Sequence, residues 1–291
     1  MKKKALSLLL LIIILAGAFY VAYTLELFDP KADEPLGESY VDFIDCGQGD
    51  SILVVSEGET MLIDATTGKS EDSVVEHLQS RGIEKIDHFV LTHPHEDHIG
   101  GADVVLEHFE VGSIYMKRPP VGKEPTTKVY LNLLKQIQSL GKKVTSTEVG
   151  MTFDCGAMKV EILGPLQDYE ETNDQSVILQ GTIGKVSFLF TGDQEATAED
   201  ELTERFGSKL KSTVLKVGHH GSEGSSSDEF LDLVSPEYAV ISCGEDNSYG
   251  HPHREALERL EERKIPYYRT DLSGTVTIVT DGKKINVEEE K

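Results

Sequence analysis

Three histidines and an aspartate occur within six consecutive positions, in the segment 93–98 (HPHEDH). Pro94 favours extended backbone at His93, and side chains two apart in an extended segment point the same way. His93 and His95 can therefore face one cation. Asp97 and His98, on the turn that follows, can face a second cation about 3.5–4 Å away. Because imidazole and carboxylate ligands without thiolate suit zinc, manganese or iron, the segment predicts a metal site, which the fold must complete with ligands from elsewhere.

The N-terminus carries an export signal. Lys2, Lys3 and Lys4 precede an uncharged run from Ala5 to Leu25, which contains small residues at 16–18. The run is long enough to span a bilayer, which takes about 20 residues, so a cleaved signal peptide and a retained anchor both fit. Lysines before the run place the N-terminus inside and the folded part outside.

These features predict three regions: a signal peptide or signal anchor over 1–25, a polar linker over 26–38 with Pro30 and Pro35, and one folded domain over 39–291. The expected location is extracellular, either secreted or tethered to the outer face of the cytoplasmic membrane. If the segment is not cleaved, the membrane is itself a partner. The sequence indicates no protein partner.

The chain is strongly acidic, with a formal net charge of −23. Because Lys2 to Lys4 account for three of the 28 basic residues, the rest carries 25 basic and 51 acidic side chains, or −26. Such a surface repels nucleic acid and anionic lipid at long range. A polyanionic substrate would therefore be held mainly by metal and by local groups. Three cysteines do not describe a disulfide framework, and each is predicted to be a buried thiol.

Apolar runs alternate with amphipathic stretches from Tyr40 to Val287. Short runs rich in Val, Ile, Leu and Phe, such as Met61–Asp64 and His88–Thr92, predict strands. Stretches such as Ser70–Ser80 and Lys128–Leu140 predict helices. Asp281-Gly282 between two apolar runs predicts a hairpin. Two strand-rich halves, each with helices, predict an α/β fold of two sheets packed face to face with helices outside.

Two further motifs place an aspartate where a strand emerges. Asp45 opens the glycine-rich segment 45–50 (DCGQGD), and Asp193 closes Thr191-Gly192-Asp193. The glycines allow tight turns and close backbone approach. Each aspartate also has a purely structural alternative, a capped turn for Asp45 and a helix cap for Asp193. A carboxylate at a strand end can bridge two cations, one on each oxygen.

Two histidine-rich motifs occur in the second half of the chain. His219 and His220 precede Gly221-Ser222, and this group can supply a proton donor and hydrogen bonds to an oxyanion. His251 and His253 repeat the His-Pro-His spacing. His251 is the candidate ligand, whereas His253 either caps the following helix or touches substrate.

Taken together, these residues resemble the metallo-β-lactamase fold family, whose His-x-His-x-Asp-His motif matches segment 93–98. The resemblance implies an αβ/βα four-layer sandwich over about residues 39–287, preceded here by the single N-terminal hydrophobic segment. Within the family, the motifs at 45–50, 173–176 (NDQS), 191–193, 219–222 and 249–253 (YGHPH) are similar to the hydrolase domain of ComEC-type DNA-uptake proteins. Those proteins also carry a multi-span channel, which the single hydrophobic segment of this chain cannot form.

The resemblance implies roles for these residues around two divalent ions, zinc or manganese. His93 and His95 would bind the first ion. Asp97, His98 and His251 would bind the second ion, and Asp193 would bridge both.

The resemblance also implies supporting roles. Asp45 would support the site from behind the ligands. The family's third-motif histidine has no counterpart here, and Asn173-Asp174 occupies its region. Asp174, Asn173 or water would then complete the first site.

The predicted function is an exported metal-dependent hydrolase, a phosphodiesterase acting on DNA or nucleotides. A water molecule activated by the metals would attack phosphorus in line, with Ser222 or backbone N–H groups stabilising the developing charge and His219 or His220 protonating the leaving oxygen. A small cell-wall phosphodiester, such as a phosphocholine or teichoic-acid substituent, is the alternative substrate. Hydrolysis of a β-lactam or lactone ranks lower, and a non-catalytic metal-binding module ranks last.

Overall fold

The computed structural model describes residues 39–291. The predicted signal or anchor over 1–25 and the linker over 26–38 therefore lie outside the described residues and stay predictions. Within residues 39–291, no helix combines the length and the apolar character that a membrane span requires.

The described residues form two mixed sheets. The first has eight strands in the order β15-β14-β1-β2-β3-β4-β5-β6. Their bounds are β1 Ser39–Phe43, β2 Ile52–Ser56, β3 Glu59–Ile63, β4 Lys85–Leu91, β5 Glu110–Met116, β6 Val144–Ser146, β14 Val276–Thr280 and β15 Ile285–Glu289. Strands β3 to β6 run parallel, and the remaining pairs of this sheet are antiparallel.

The second sheet has seven strands within the described residues, in the order β13-β12-β11-β10-β9-β8-β7. Their bounds are β7 Thr152–Cys155, β8 Met158–Gly164, β9 Ile178–Ile183, β10 Val186–Phe190, β11 Val214–Lys216, β12 Tyr238–Ile241 and β13 Tyr267–Arg269. Strands β10 to β13 run parallel. Each sheet therefore has a parallel half whose carboxyl ends can carry functional loops.

Helices cover the outer face of each sheet. Their bounds are α1 Glu71–Ser80, α2 Glu96–Ile99, α3 Ala102–His108, α4 Lys128–Ser139, α5 Ala196–Phe206, α6 Asp228–Val234, α7 Arg254–Glu262 and α8 Thr270–Ser273. One apolar core joins α1, α3 and α4 to the first sheet, and another joins α5, α6 and α7 to the second.

The two sheets pack against each other through their inner faces. Val41 and Phe43 of β1 are fully buried, and the Phe43 ring lies 6.4 Å from that of Phe190 on β10. The layers therefore run helix, sheet, sheet, helix, which confirms the predicted α/β four-layer sandwich. The predicted hairpin at Asp281-Gly282 is confirmed by the antiparallel pairing of β14 with β15.

Asp42, which points to the outer face of β1, ties α1 to the first sheet. Its carboxylate accepts from Nε and Nη2 of Arg81 at 2.8 Å each, and lies 2.8 Å from Nε2 of His77. The Thr277 hydroxyl on β14 donates to it at 2.6 Å. Burial alone would raise the pKa of Asp42, but these partners outweigh burial and lower it.

The three cysteines, Cys46, Cys155 and Cys243, are free thiols, and all are buried. Burial raises the pKa of each to about 12. These thiols therefore stay protonated and inert at neutral pH, as predicted.

Candidate metal centre

The carboxyl ends of four parallel strands meet at one edge of the sandwich. His93 follows β4, Asp193 follows β10, the pair His219-His220 follows β11, and His251 follows β12. In open α/β sheets, loops at the carboxyl ends of strands form the ligand-binding crevice. Residues more than 150 positions apart in the chain are brought together in this way.

Two groups of ligand atoms meet at Asp193. The first group is His93, His95 and Asp193, and the second is Asp97, His98, Asp193 and His220. Within each group the ligand atoms lie within 4.8 Å of one another. Asp193 is therefore placed to act as a ligand shared by both groups. Its bridging role stays a prediction.

The first group is held ready to bind a cation. Nε2 of His93 lies 3.0 Å from Nδ1 of His95 and 3.8 Å from Oδ2 of Asp193. Burial lowers the pKa of both histidines. Both rings are therefore neutral at neutral pH, and neutral imidazole is the form that binds metal.

His98 is oriented by a buried carboxylate. Its Nδ1 lies 2.7 Å from Oδ2 of Asp64, and its Nε2 lies 3.1 Å from Oδ2 of Asp193. Asp64 also accepts from the backbone N–H and the hydroxyl of Thr92. A carboxylate behind a ligating histidine fixes its tautomer and raises its basicity. Although burial lowers the pKa of His98, Asp193 and Asp64 outweigh burial and raise it well above its usual range.

His220 has the same arrangement with a carbonyl in place of the carboxylate. Its Nδ1 donates to the Ser242 carbonyl at 2.9 Å, which leaves the lone pair on Nε2. That Nε2 lies 3.4 Å from Oδ2 of Asp97 and 3.5 Å from Oδ1 of Asp193. Burial lowers the pKa of His220, but Asp193 and Asp97 outweigh burial and raise it to about 9.

The ligand atoms fit a divalent cation. Nε2 of His98, Nε2 of His220 and Oδ1 of Asp193 are buried, and none has a hydrogen-bond partner among the described residues. Such orphaned buried groups are rare unless an ion or water satisfies them. Nε2 of His220 faces two carboxylates, so either a proton or a metal cation must lie between this nitrogen and their oxygens. Nitrogen and carboxylate donors without thiolate suit zinc or manganese.

His219 differs from His220 in its surroundings. Its Nδ1 lies 2.7 Å from Oε1 of Glu195, and its Nε2 lies 3.9 Å from Oδ2 of Asp193. The His219 side chain is 23% exposed, whereas His220 is buried. A partly exposed imidazole with a carboxylate behind it can exchange a proton with a bound molecule, and this separates the two histidines into different roles.

The backbone at this pair is strained. His219 and His220 have φ of 43° and 53°, which is the left-handed region. Non-glycine residues in this region cost about 1–3 kcal/mol each and cluster at functional sites. The backbone N–H of His219 donates to the Gly192 carbonyl, and that of Ser222 donates to the His219 carbonyl. The turn thereby fixes both rings beside Asp193.

The region of the missing third-motif histidine is occupied by other contacts. Oδ1 of Asp174 accepts from the backbone N–H of Glu195 at 2.8 Å, and Asp174 belongs to neither ligand group formed by residues 39–291. Nδ2 of Asn173 lies 3.3 Å from Nδ1 of His219. Asn173, rather than Asp174, lines the open cleft above the ligands. Which group completes the first site stays a prediction.

Three other predicted site residues, Asp45, Ser222 and His253, do not line the cleft, whereas His251 does. Asp45 pairs with Nζ of Lys291 at 3.0 Å, and Oγ of Ser222 accepts from a backbone N–H at 3.2 Å. Nδ1 of His253 accepts from the backbone N–H of Glu223, and its side chain does not cap α7. The His251 ring lies 5.2 Å from that of His219 and 6.1 Å from that of His220. Among the described residues, neither ligand group includes His251.

Sequence reasoning missed three residues that hold the ligands in place: Asp50, Asp64 and Lys216. The buried ammonium of Lys216 lies 2.8 Å from Oδ2 of Asp50, whose Oδ1 is 3.5 Å from Nδ1 of His220. Asp64 ends a predicted strand, as Asp45 and Asp193 do, so its position in the sequence could have indicated a role at the site. No local pattern indicates that Lys216 is buried.

The comparison with known proteins identifies the family. A family model described as the metallo-β-lactamase superfamily matches residues 44–245. The chain belongs to this superfamily. Members of the superfamily are generally metal-dependent hydrolases.

Curated relatives refine the assignment. The chain is 32% identical over 258 residues to ComE operon protein 3 of Bacillus subtilis (strain 168), covering 82% of this chain and 33% of the relative. It is 33% identical over 267 residues to competence protein ComA of Neisseria gonorrhoeae, covering 91% and 34%. These matches confirm the resemblance to ComEC-type proteins. The chain spans about a third of the length of these relatives.

Solved structures show the same fold at low sequence identity. The metallo-β-lactamase fold protein YhfI from Bacillus subtilis has a TM-score of 0.57 and 13% identity, covering 84% of this chain and 99% of that one. The metallo hydrolase Igni18 from Ignicoccus hospitalis has a TM-score of 0.54 and 16% identity, covering 82% and 98%.

Proposed function

We propose that the chain is a metal-dependent phosphodiesterase that acts on DNA or nucleotides. The observation that carries this proposal is the position of Asp193, whose carboxylate belongs to two ligand groups at once. A pair of divalent ions held there would activate a water molecule and stabilise charge on phosphoryl oxygens. The curated relatives include a protein named for competence and one named for recombination, which supports a role related to DNA.

Each residue has a distinct part in the proposed reaction. His93 and His95 would hold one ion, Asp97, His98 and His220 would hold the other, and Asp193 would be shared. His219 stands free of these groups and faces the cleft, with Glu195 behind it. We assign to His219 the proton that the leaving oxygen takes up, because Glu195 fixes its ring and its side chain lines the cleft.

The N-terminal segment extends the proposal to location. We propose that residues 1–25 export the chain and that the domain acts outside the cytoplasmic membrane. The three lysines at positions 2–4, which precede an uncharged run, support this placement.

The test combines metal loading with a panel of substrates. The full chain is stripped of metal, reloaded with zinc or manganese, and incubated with labelled DNA, bis(4-nitrophenyl) phosphate, 4-nitrophenyl phosphorylcholine and a chromogenic β-lactam. We expect turnover of DNA and of the simple diester, abolished by His98→Ala. His108→Ala is the matched control, because His108 is exposed and bonds only within its own helix.

Other outcomes would change the assignment. Turnover of the choline ester without DNA would indicate a cell-wall phosphodiester as substrate. Turnover of the β-lactam alone would refute the phosphodiesterase proposal. Tight metal binding with no turnover of any substrate would leave a non-catalytic metal-binding module.

A further inference from the structure

The cleft above the ligands has an unusual charge pattern for a protein that binds nucleic acid. Its volume is about 330 Å³, and Gln48, Asn173, Tyr249 and several of the site's histidines and acids line it. None of the described residues lining it is Lys or Arg. Since Lys and Arg contacts to the phosphate backbone supply most non-specific affinity for DNA, substrate recognition here needs another source.

Lysines of the neighbouring hollow do not fill this gap, and Lys216 is buried against Asp50. Lys117 and Lys123 line a separate hollow behind His93. Nζ of Lys117 lies 3.4 Å from Asp168, and Nζ of Lys123 lies 2.6 Å from Glu170. Both ammonium groups are therefore partly neutralised by acids. The acidic chain as a whole adds repulsion.

Tyr249 offers a different kind of contact at the cleft. Its side chain is 64% exposed, so it contributes little to the core. Its ring lies nearly parallel to that of His251, at 19° and a centroid distance of 5.7 Å. An exposed aromatic face beside a catalytic cleft is a stacking platform, and base–aromatic stacking is tolerant of sequence because every base has a π-face.

The loop that carries Tyr249 is held by its own hydrogen bonds. Nδ2 of Asn247 donates to the carbonyls of Gly244 and His251, and Oδ1 of Asn247 accepts from the N–H of His251. Nε2 of His253 lies 3.2 Å from the Tyr249 carbonyl. His253, predicted from sequence to touch substrate or cap a helix, thus braces this loop. The ring is presented on a fixed backbone, which lowers the entropy that binding would cost.

We propose that Tyr249 stacks on an unpaired nucleobase beside the scissile phosphodiester, so that single-stranded DNA is the preferred substrate class. The inference rests on the proposed function and deepens it. In a duplex both faces of each base are covered by neighbouring pairs, so a base reaches Tyr249 only after unstacking. With few phosphate contacts, binding should also weaken only slightly as salt concentration rises.

The test compares oligonucleotides that differ only in their bases. Binding of a dye-labelled single strand to the full chain is measured by fluorescence anisotropy, with manganese and with EDTA, against an abasic strand of the same length. We expect the wild type to bind the strand with bases about 5- to 100-fold more tightly. Tyr249→Ala should remove this preference, and Tyr249→Phe should retain it. Leu272→Ala, at an exposed position in α8, is the control.

Cleavage assays separate this inference from the proposed function. If metal-loaded chain cleaves DNA but Tyr249→Ala keeps the same preference for bases, the stacking role is wrong and the phosphodiesterase proposal stands. A preference for duplex over single strand, or a loss in Tyr249→Ala confined to 4-nitrophenyl phosphorylcholine, would also overturn it. If base-dependent binding needs Tyr249 but no diester is cleaved, only the proposed function fails.

Discussion

Asp193 is the side chain on which both ligand groups depend. Each of its oxygens lies within 3.5 Å of a histidine nitrogen, His98 on one side and His220 on the other. Burial alone would raise the pKa of Asp193, but His220 and His98 outweigh burial and hold it well below its usual range. The carboxylate is therefore charged wherever the protein is folded near neutral pH.

We predict that Asp193→Asn removes more bound metal than His95→Ala does. The substitution replaces an anionic oxygen in both groups, whereas His95 belongs to the first group alone. Metal per chain, measured by emission spectrometry after dialysis, should fall below about a tenth of wild type in Asp193→Asn. His108→Ala should keep the wild-type content. An Asp193→Asn protein with full metal content would contradict the shared position.

A second prediction concerns Glu195. Glu195→Gln removes the charge behind His219, and we expect cleavage of DNA to slow by about 100-fold. Hydrolysis of bis(4-nitrophenyl) phosphate should slow far less, because 4-nitrophenolate leaves without needing a proton. Glu204→Gln, at an exposed position in α5, the helix that follows Glu195, is the matched control. Equal losses on both substrates would argue against proton donation by His219.

At the scale of elements, α1 depends on one buried carboxylate for its attachment to the first sheet. We predict that Asp42→Asn lowers the free energy of unfolding by about 1–3 kcal/mol, since charged hydrogen bonds are lost and Arg81 keeps no anionic partner. Arg81 is partly exposed, which limits the loss. Urea unfolding measures the change in the free energy of unfolding. The control is Arg254→Ala, which breaks an exposed pair with Glu258 and should change stability little.

The same carboxylate gives a pH dependence. Its folded pKa lies below the ordinary value of 3.8, so its contribution is complete above that value and is lost as pH falls through the lower folded pKa. The stability difference between wild type and Asp42→Asn should therefore be constant near neutral pH and shrink below about pH 4. A difference that instead grew on acidification would contradict the sign of the shift.

The sequence predicted some elements closely and missed others. The predicted helices over Ser70–Ser80 and Lys128–Leu140 each differ by one residue from the observed α1 and α4. Strands β5 to β8 and β13 are absent from the prediction, although β8 alternates buried and exposed residues as a strand should. Short edge strands such as β6 and β13 have too few residues for a periodic pattern to emerge.

The ligand cluster at 93–98 was predictable because this combination of residue types is rare and its members are close together in the sequence. The residues behind it were not. Asp64 and Asp45 both follow strands, yet only Asp64 contacts a histidine of the site, while Asp45 contacts Lys291. Which strand end faces the cleft depends on how the two sheets pack. A single sequence does not carry that long-range information locally.

At the scale of the whole molecule, the candidate metal centre draws its ligands from both sheets. Strand β4 of the first sheet and strands β10 and β11 of the second all deliver ligands to it. Four carboxylates (Asp50, Asp64, Asp97 and Asp193) lie close together there beside neighbouring histidines and Lys216, and a bound cation would add to this positive charge.

We therefore predict that metal removal destabilises the whole domain. A ligand that binds only the folded state at 100 times its Kd adds about 2.7 kcal/mol. Treatment with EDTA should lower the thermal midpoint by several degrees, and manganese or zinc should restore it. His98→Ala should abolish this response, whereas His108→Ala should keep it. An unchanged midpoint in the wild type would exclude tight binding of metal to the folded state.

Strand β1 pairs with β14 in antiparallel fashion, with Ser39 opposite Thr280, so the first sheet stays incomplete until β14 has been synthesised. A growing chain that has reached residue 270 already contains all the ligands, but the free edge of β1 still lacks its neighbour. Exposed edges of this kind recruit strands from other polypeptides. Self-association during synthesis is thus a hazard until residues 276–280 emerge and β14 covers this edge of β1.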